Sequence, residues 1–154
     1  MLPQRLTLLT LASDDLARAR AFHAALGWRE VAGAPDGMAL YRLGGLTLAL
    51  FDRGALAADQ GRPGAELGAG AATLAINLAT EADVDAAFAA ALAAGARPLK
   101  RPARADWGGW SGYYSDPDGH VWELAFNPVW PLAADGALTL PGGDAALDAP
   151  GPPA

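Results

Sequence analysis

The chain has no cysteine and only two histidines, His23 and His120, among its 154 residues. Disulfides, thiolate zinc sites and cysteine nucleophiles are excluded together, and any metal would have to be held by His, Asp, Glu or water. Positive charge is also scarce: 11 Lys and Arg stand against 17 Asp and Glu, for a net charge of −6. The basic residues are scattered except for Lys100, Arg101 and Arg104, which read as a solvated loop. Nucleic acid is therefore not an expected partner, because phosphate binding needs a concentrated basic face. Long apolar runs are missing too. Leu6 to Ala12 is short, lacks a cleavage site and runs into Asp14 and Asp15, so it reads as a buried strand and not as a leader. No segment approaches the roughly 20 apolar residues of a membrane span. These absences lead to the expectation of a cytoplasmic protein with no membrane partner.

What is present is a pattern used twice. In "RLTLLTLASDDLARARAFHAALGW", a strand precedes Ser13, which is placed to cap a helix. Leu16, Ala19, Phe22 or His23, and Leu26 then recur at helical spacing before Gly27. His23 is expected to face the sheet edge or solvent. Strand-like runs come next at Trp28 to Val31, Met38 to Leu43 and Leu46 to Phe51, separated by glycine turns. The second half repeats the order. Ala72 to Leu78 reads as a strand, Thr80 as a cap, and Val84, Phe88, Ala91 and Leu92 as a helical stripe. Strands around Arg97 to Leu99, Gly112 to Ser115 and Val121 to Phe126 complete it.

"DLARARAFHAALG" and "DVDAAFAAALAAG" echo each other directly. The pattern predicts an α+β domain of two paired βαβββ modules, at about residues 5–52 and 71–128, forming a curled mixed sheet around a cleft with helices outside. A Gly, Ala and Pro linker spans 53–70, in which "ALAAD" can add a helical turn. A Pro, Ala and Gly-rich tail covers 129–154. Its Trp130, Leu132 and "ALTL" are candidates for folding back on the sheet or a partner, and its last dozen residues are expected to be loose.

The stretch "SDPDGHVWELAFNP" sets a single carboxylate, Glu123, in an otherwise apolar strand. Alternation puts Val121, Glu123 and Ala125 on one face and Trp122, Leu124 and Phe126 on the other. Three readings of Glu123 are open. It can be held by hydrogen bonds from Thr10, Thr73 or Tyr113, it can bind a cationic or hydroxyl-bearing ligand, or it can move a proton as a general acid or base. Thr10 and Phe51 share the inward face with it, and Trp107, Trp110 and Tyr113 add flat surfaces with polar edges that suit a planar molecule. His120, just past the tight turn, is expected to bond locally or lie exposed.

With its paired units, its opening "TLLTLASDDLARARAFHAALGW" and its closing "YYSDPDGHVWELAFNP", residues 5 to 128 resemble the vicinal oxygen chelate superfamily, which includes glyoxalase I, bleomycin-resistance proteins and extradiol dioxygenases. The resemblance implies metal ligands projecting from four strands. Those positions fall here on Leu8, Ala49, Thr73 and Glu123, and only the last is a ligand type. One carboxylate cannot hold a divalent ion where catalytic sites use about three protein donors. The expectation is therefore no metal and no cofactor. It favours a metal-independent protein binding a small aromatic or hydrophobic molecule through Thr10, Phe51, Thr73, Trp107, Trp110, Tyr113 and Glu123. The alternatives are a metal-free isomerase, cyclase or lyase with Glu123 as catalytic proton carrier, and a metalloenzyme with relocated ligands. The resemblance also implies a homodimer.

Overall fold

The computed structural model describes residues 5–139, and the end of the tail, where loose chain is expected, lies outside them. The fold is α+β, with two mixed sheets and three helices among the described residues. The first module runs β1 (Leu8–Ser13), α1 (Leu16–Ala25), β2 (Met38–Leu43) and β3 (Leu46–Asp52). From the linker comes α2 (Arg53–Asp59). The second module runs β4 (Thr73–Asn77), α3 (Glu81–Ala93), β5 (Arg97–Arg104), β6 (Trp110–Ser115) and β7 (Val121–Phe126).

The sheets are ordered β1-β3-β2 and β4-β7-β6-β5, each with its first strand parallel to its last. The duplication is thus topological as well as sequential. One element differs from expectation: where the sequence pattern predicts a strand at Trp28 to Val31, there is a single antiparallel bridge between Glu30 and Tyr41. Gly33 and Pro35 come so soon after it that pairing cannot extend. Its counterpart β5 is a full edge strand carrying Lys100, Arg101 and Arg104, so these lie on a strand and not on a loop. Cationic side chains on an exposed edge discourage pairing with another chain.

Helices α1 and α3 cover the outer faces. Ala19 and Phe22 from α1, and Val84, Phe88 and Ala91 from α3, share one core with Leu48, Leu50, Tyr41, Tyr114, Trp122 and Leu124. At the seam between modules His23 is buried, 2 % exposed, rather than facing solvent. It stacks on Tyr41 at 5.0 Å and lies 5.1 Å from Trp28, and Trp28 meets Trp122 edge-on. Its Nδ1 bonds the Ala19 carbonyl, while Nε2 has no partner among the described residues. Burial pushes the His23 pKa below its usual value.

The "DPDG" turn joins the modules. Asp118 accepts from Ser13 Oγ at 2.8 Å, from the Asp14 amide at 2.9 Å and from Arg18 at 3.2 Å. Ser13 is therefore spent on that contact, and Asp15 caps α1 in its place, accepting from the Arg18 amide. Thr80 caps α3 as expected. Buried Asp116 gathers the Asp118 and His120 amides and the Trp122 indole N–H. His120 is buried as well, with Nε2 2.7 Å from the Ala12 carbonyl, so it too ties the modules together.

Candidate functional site

The inner faces of the two sheets have different fates. On the first, Ala49 is fully buried where α2 lies against β1 and β3 with Leu56 and Ala57 turned in. Thr10 and Ala12 adjoin Leu56 in a separate hollow that His120 also lines. On the second, Thr73 and Ala75 are exposed, and strand pairing lays a row of four residues side by side: Ala75, Glu123, Tyr113 and Lys100.

In this row the Tyr113 hydroxyl donates to Glu123 Oε1 at 2.6 Å. That bond, with burial and the carboxylate's charge, pushes the Tyr113 pKa up to about 12, so the phenol keeps its proton throughout the neutral range. Oε2 of Glu123 has no partner among the described residues. The Lys100 ammonium lies 5.9 Å above the Tyr113 ring, a cation–π contact on the far side of the row from Ala75.

Above the row is a cavity of about 490 Å³ lined by Ala75, Asn77, Trp107, Tyr113, Glu123, Ala125, Asn127, Val129, Trp130 and Leu138. Trp107, 48 % exposed, is seated on Gly109, where a Cβ would come within 1.7 Å of the indole ring. The glycine is required by this close approach, since any side chain would displace the ring. On the opposite wall the tail arches back. A bridge between Leu132 and Leu138, with Ala133 N–H donating to the Ala137 carbonyl, holds Trp130 and Leu138 at the cavity.

Of the residues singled out in the sequence, Trp107, Tyr113 and Glu123 meet in this cavity. Thr73 lies on the same face but outside the lining. Thr10 and Phe51 belong to the other sheet, Phe51 beside Gly37. Trp110 is on the helix side, its indole N–H donating to Asp85 of α3 at 2.9 Å. Alternation decides this, because Ser111 and Tyr113 point inward and the residue before them cannot. The same rule identifies Asn77, two residues beyond Ala75 on the inward face. Nothing periodic marks Val129, Trp130 or Leu138, which reach the cavity through a turn in the tail.

The positions at which the resemblance implies metal ligands do not fit a divalent ion. Leu8 and Ala49 have no donor atom in their side chains, and Ala49 is paired with Thr10 and closed off under α2. Glu123 already shares one oxygen with Tyr113. Among the described residues no three His, Asp or Glu side chains are grouped to share an ion, and neither histidine lines the cavity over Glu123. No helix of the described residues is long and apolar enough to cross a membrane.

A family model for the Glyoxalase/Bleomycin resistance protein/Dioxygenase superfamily matches residues 5–124. Among solved structures, a glyoxalase-related enzyme from Fulvimarina pelagi is 34% identical, with a TM-score of 0.83, over 90% of this chain and 99% of that one. The fold is shared with a lactoylglutathione lyase from Agrobacterium tumefaciens, 24% identical with a TM-score of 0.62 over 84% of this chain and 98% of that one. It is shared also with TioX from Micromonospora sp. ML1, 23% identical with a TM-score of 0.57 over 79% of this chain and 98% of that one. No curated protein matches the chain.

Proposed function

The chain belongs to the Glyoxalase/Bleomycin resistance protein/Dioxygenase superfamily, and we propose that it binds a small aromatic or hydrophobic molecule over Glu123 without a divalent metal. The observation that carries this reading is the cavity itself. Trp107, Trp130, Val129 and Leu138 offer apolar surface above a floor with one hydrogen-bonded acid, Glu123 with Tyr113. Its volume is in the range that takes a small organic ligand, and a few fixed polar groups among apolar walls are what orient one.

The same pair supports a second reading, a metal-free isomerase, cyclase or lyase in which Glu123 carries a proton. Glu123→Gln distinguishes the two. The amide still accepts from Tyr113 but cannot take up a proton, so turnover would vanish in the enzyme case while much of the affinity for planar molecules survives in the binding case. A screen of planar aromatic fragments by tryptophan fluorescence and thermal shift tests the leading reading. Saturable binding that Trp107→Ala weakens is expected, and the absence of any saturable ligand would overturn it. Pairing of two copies belongs to this proposal as well, supported by exposed Leu8 on the edge strand β1. Light scattering over a range of concentrations tests it.

A further inference from the structure

We propose that the ligand of this cavity is an organic cation, an apolar body carrying a protonated amine or amidine that meets the free oxygen of Glu123 above Ala75. The inference rests on the cavity reading above and assigns the ligand's charge. Among the described residues of the lining, Glu123 is the only acidic or basic side chain. Tyr113 keeps its proton at neutral pH and already donates it in the hydrogen bond to Oε1, so no hydroxyl of the lining is spare for an anion.

The open neighbour of Glu123 is a methyl group. Ala75 is its direct cross-strand partner and is exposed, leaving room for a cationic head beside Oε2. Lys100, the nearest cation in the row, stands two strands away, roughly 10 Å at the usual strand spacing. Its ammonium lies 5.9 Å from the centre of the Tyr113 ring and forms no salt bridge with Glu123. The walls agree with the floor. Trp107 and Trp130 add indole rings, whose electron-rich faces attract cations more strongly as water is displaced. An anion in the same place would face the carboxylate in a medium less screening than water and leave Oε2 unpaired.

The test uses three probes on one ring system: 2-naphthylmethylammonium, 2-naphthylmethanol and 2-naphthoate, titrated calorimetrically into the whole chain. The ammonium is expected to bind tightest, about tenfold or more above the carboxylate at low salt, as a close charge pair at a partly buried site warrants. Glu123→Gln should bring the ammonium down to the level of the alcohol and leave the alcohol's affinity in place. Ala75→Lys, at an exposed position, supplies an internal ammonium beside Glu123 and should remove the preference by a second route. Equal binding of all three probes, or tighter binding of the carboxylate, overturns the assignment of charge while leaving the cavity reading intact. If none of the three saturates, the cavity reading falls and this inference with it.

Discussion

The two sheets share one topology, yet the inner face of the first is closed and that of the second is open. The difference lies in the segment that leaves the last strand of each. After β3, Asp52 caps α2 by accepting from the Ala55 amide, and α2 lies against β1 and β3 with Leu56 and Ala57 buried. After β7, the Asn127 side chain accepts from the Val129 amide in a turn, no helix follows among the described residues, and the tail only arches over, held by the Leu132 and Leu138 bridge. A space bounded by Trp107 and Trp130 is left between arch and sheet. Duplication thus supplied two equivalent platforms, and the connecting segments decided which could hold a ligand.

This comparison is broken most directly by placing one charge on each platform. Ala49→Glu puts a carboxylate into a fully buried site and should cost at least about 3 kcal/mol in urea denaturation, or prevent folding. Ala75→Glu, at the exposed equivalent, should change stability by less than about 1 kcal/mol. Equal costs would mean that the two faces do not differ as described. A smaller effect sharpens the comparison from the open side. Trp107→Ala should weaken a planar ligand about tenfold, or 1.4 kcal/mol, with little change in unfolding midpoint. Gly109→Ala should also weaken the ligand, because its Cβ would occupy the space of the indole, but it should lower the unfolding midpoint too, since that Cβ would lie 2.5 Å from the Phe126 carbonyl oxygen.

The smallest effect is on pH dependence. The Tyr113 pKa is raised in the folded chain from 10.0 to about 12 by its bond to Glu123. Between these values the unfolded chain loses its phenolic proton more readily than the folded one. The stabilisation is therefore complete below pH 10 and is lost as pH rises through about 12. Tyr113→Phe should lessen the alkaline loss read from urea midpoints across that window without abolishing it, because burial raises the pKa values of Tyr41 and Tyr114 as well.

The strands and two main helices were legible because apolar periodicity and glycine turns agree locally with the fold. Where a residue had two competing partners, they were not. Ser13 is a good cap by type, but Asp118, far along the chain, takes its hydroxyl, and Asp15 caps instead. Helical spacing leaves Phe22 or His23 in the apolar stripe, with His23 toward the sheet edge or solvent, and the second module brings Trp122 over it and seals it in. In the site, Glu123, Tyr113 and Trp107 were readable from type and alternation. Trp110 is excluded by that same alternation, and Thr10 and Phe51 by the pairing of their strands into the other sheet.

The sequence by itself determined the duplicated βαβββ pattern, the inward direction of Glu123 and the lack of a ligand set at the positions the family resemblance points to. These are properties of local period and residue type, which each segment carries wherever it is placed. Only the tertiary structure decided that α2 would fill one inner face, that Tyr113 rather than Thr10 or Thr73 would take the carboxylate, and that the tail would supply the far wall. Those outcomes depend on which segments are neighbours in space. A side chain's partner is set by competition among all groups within hydrogen-bonding or packing distance, most of them far away along the chain.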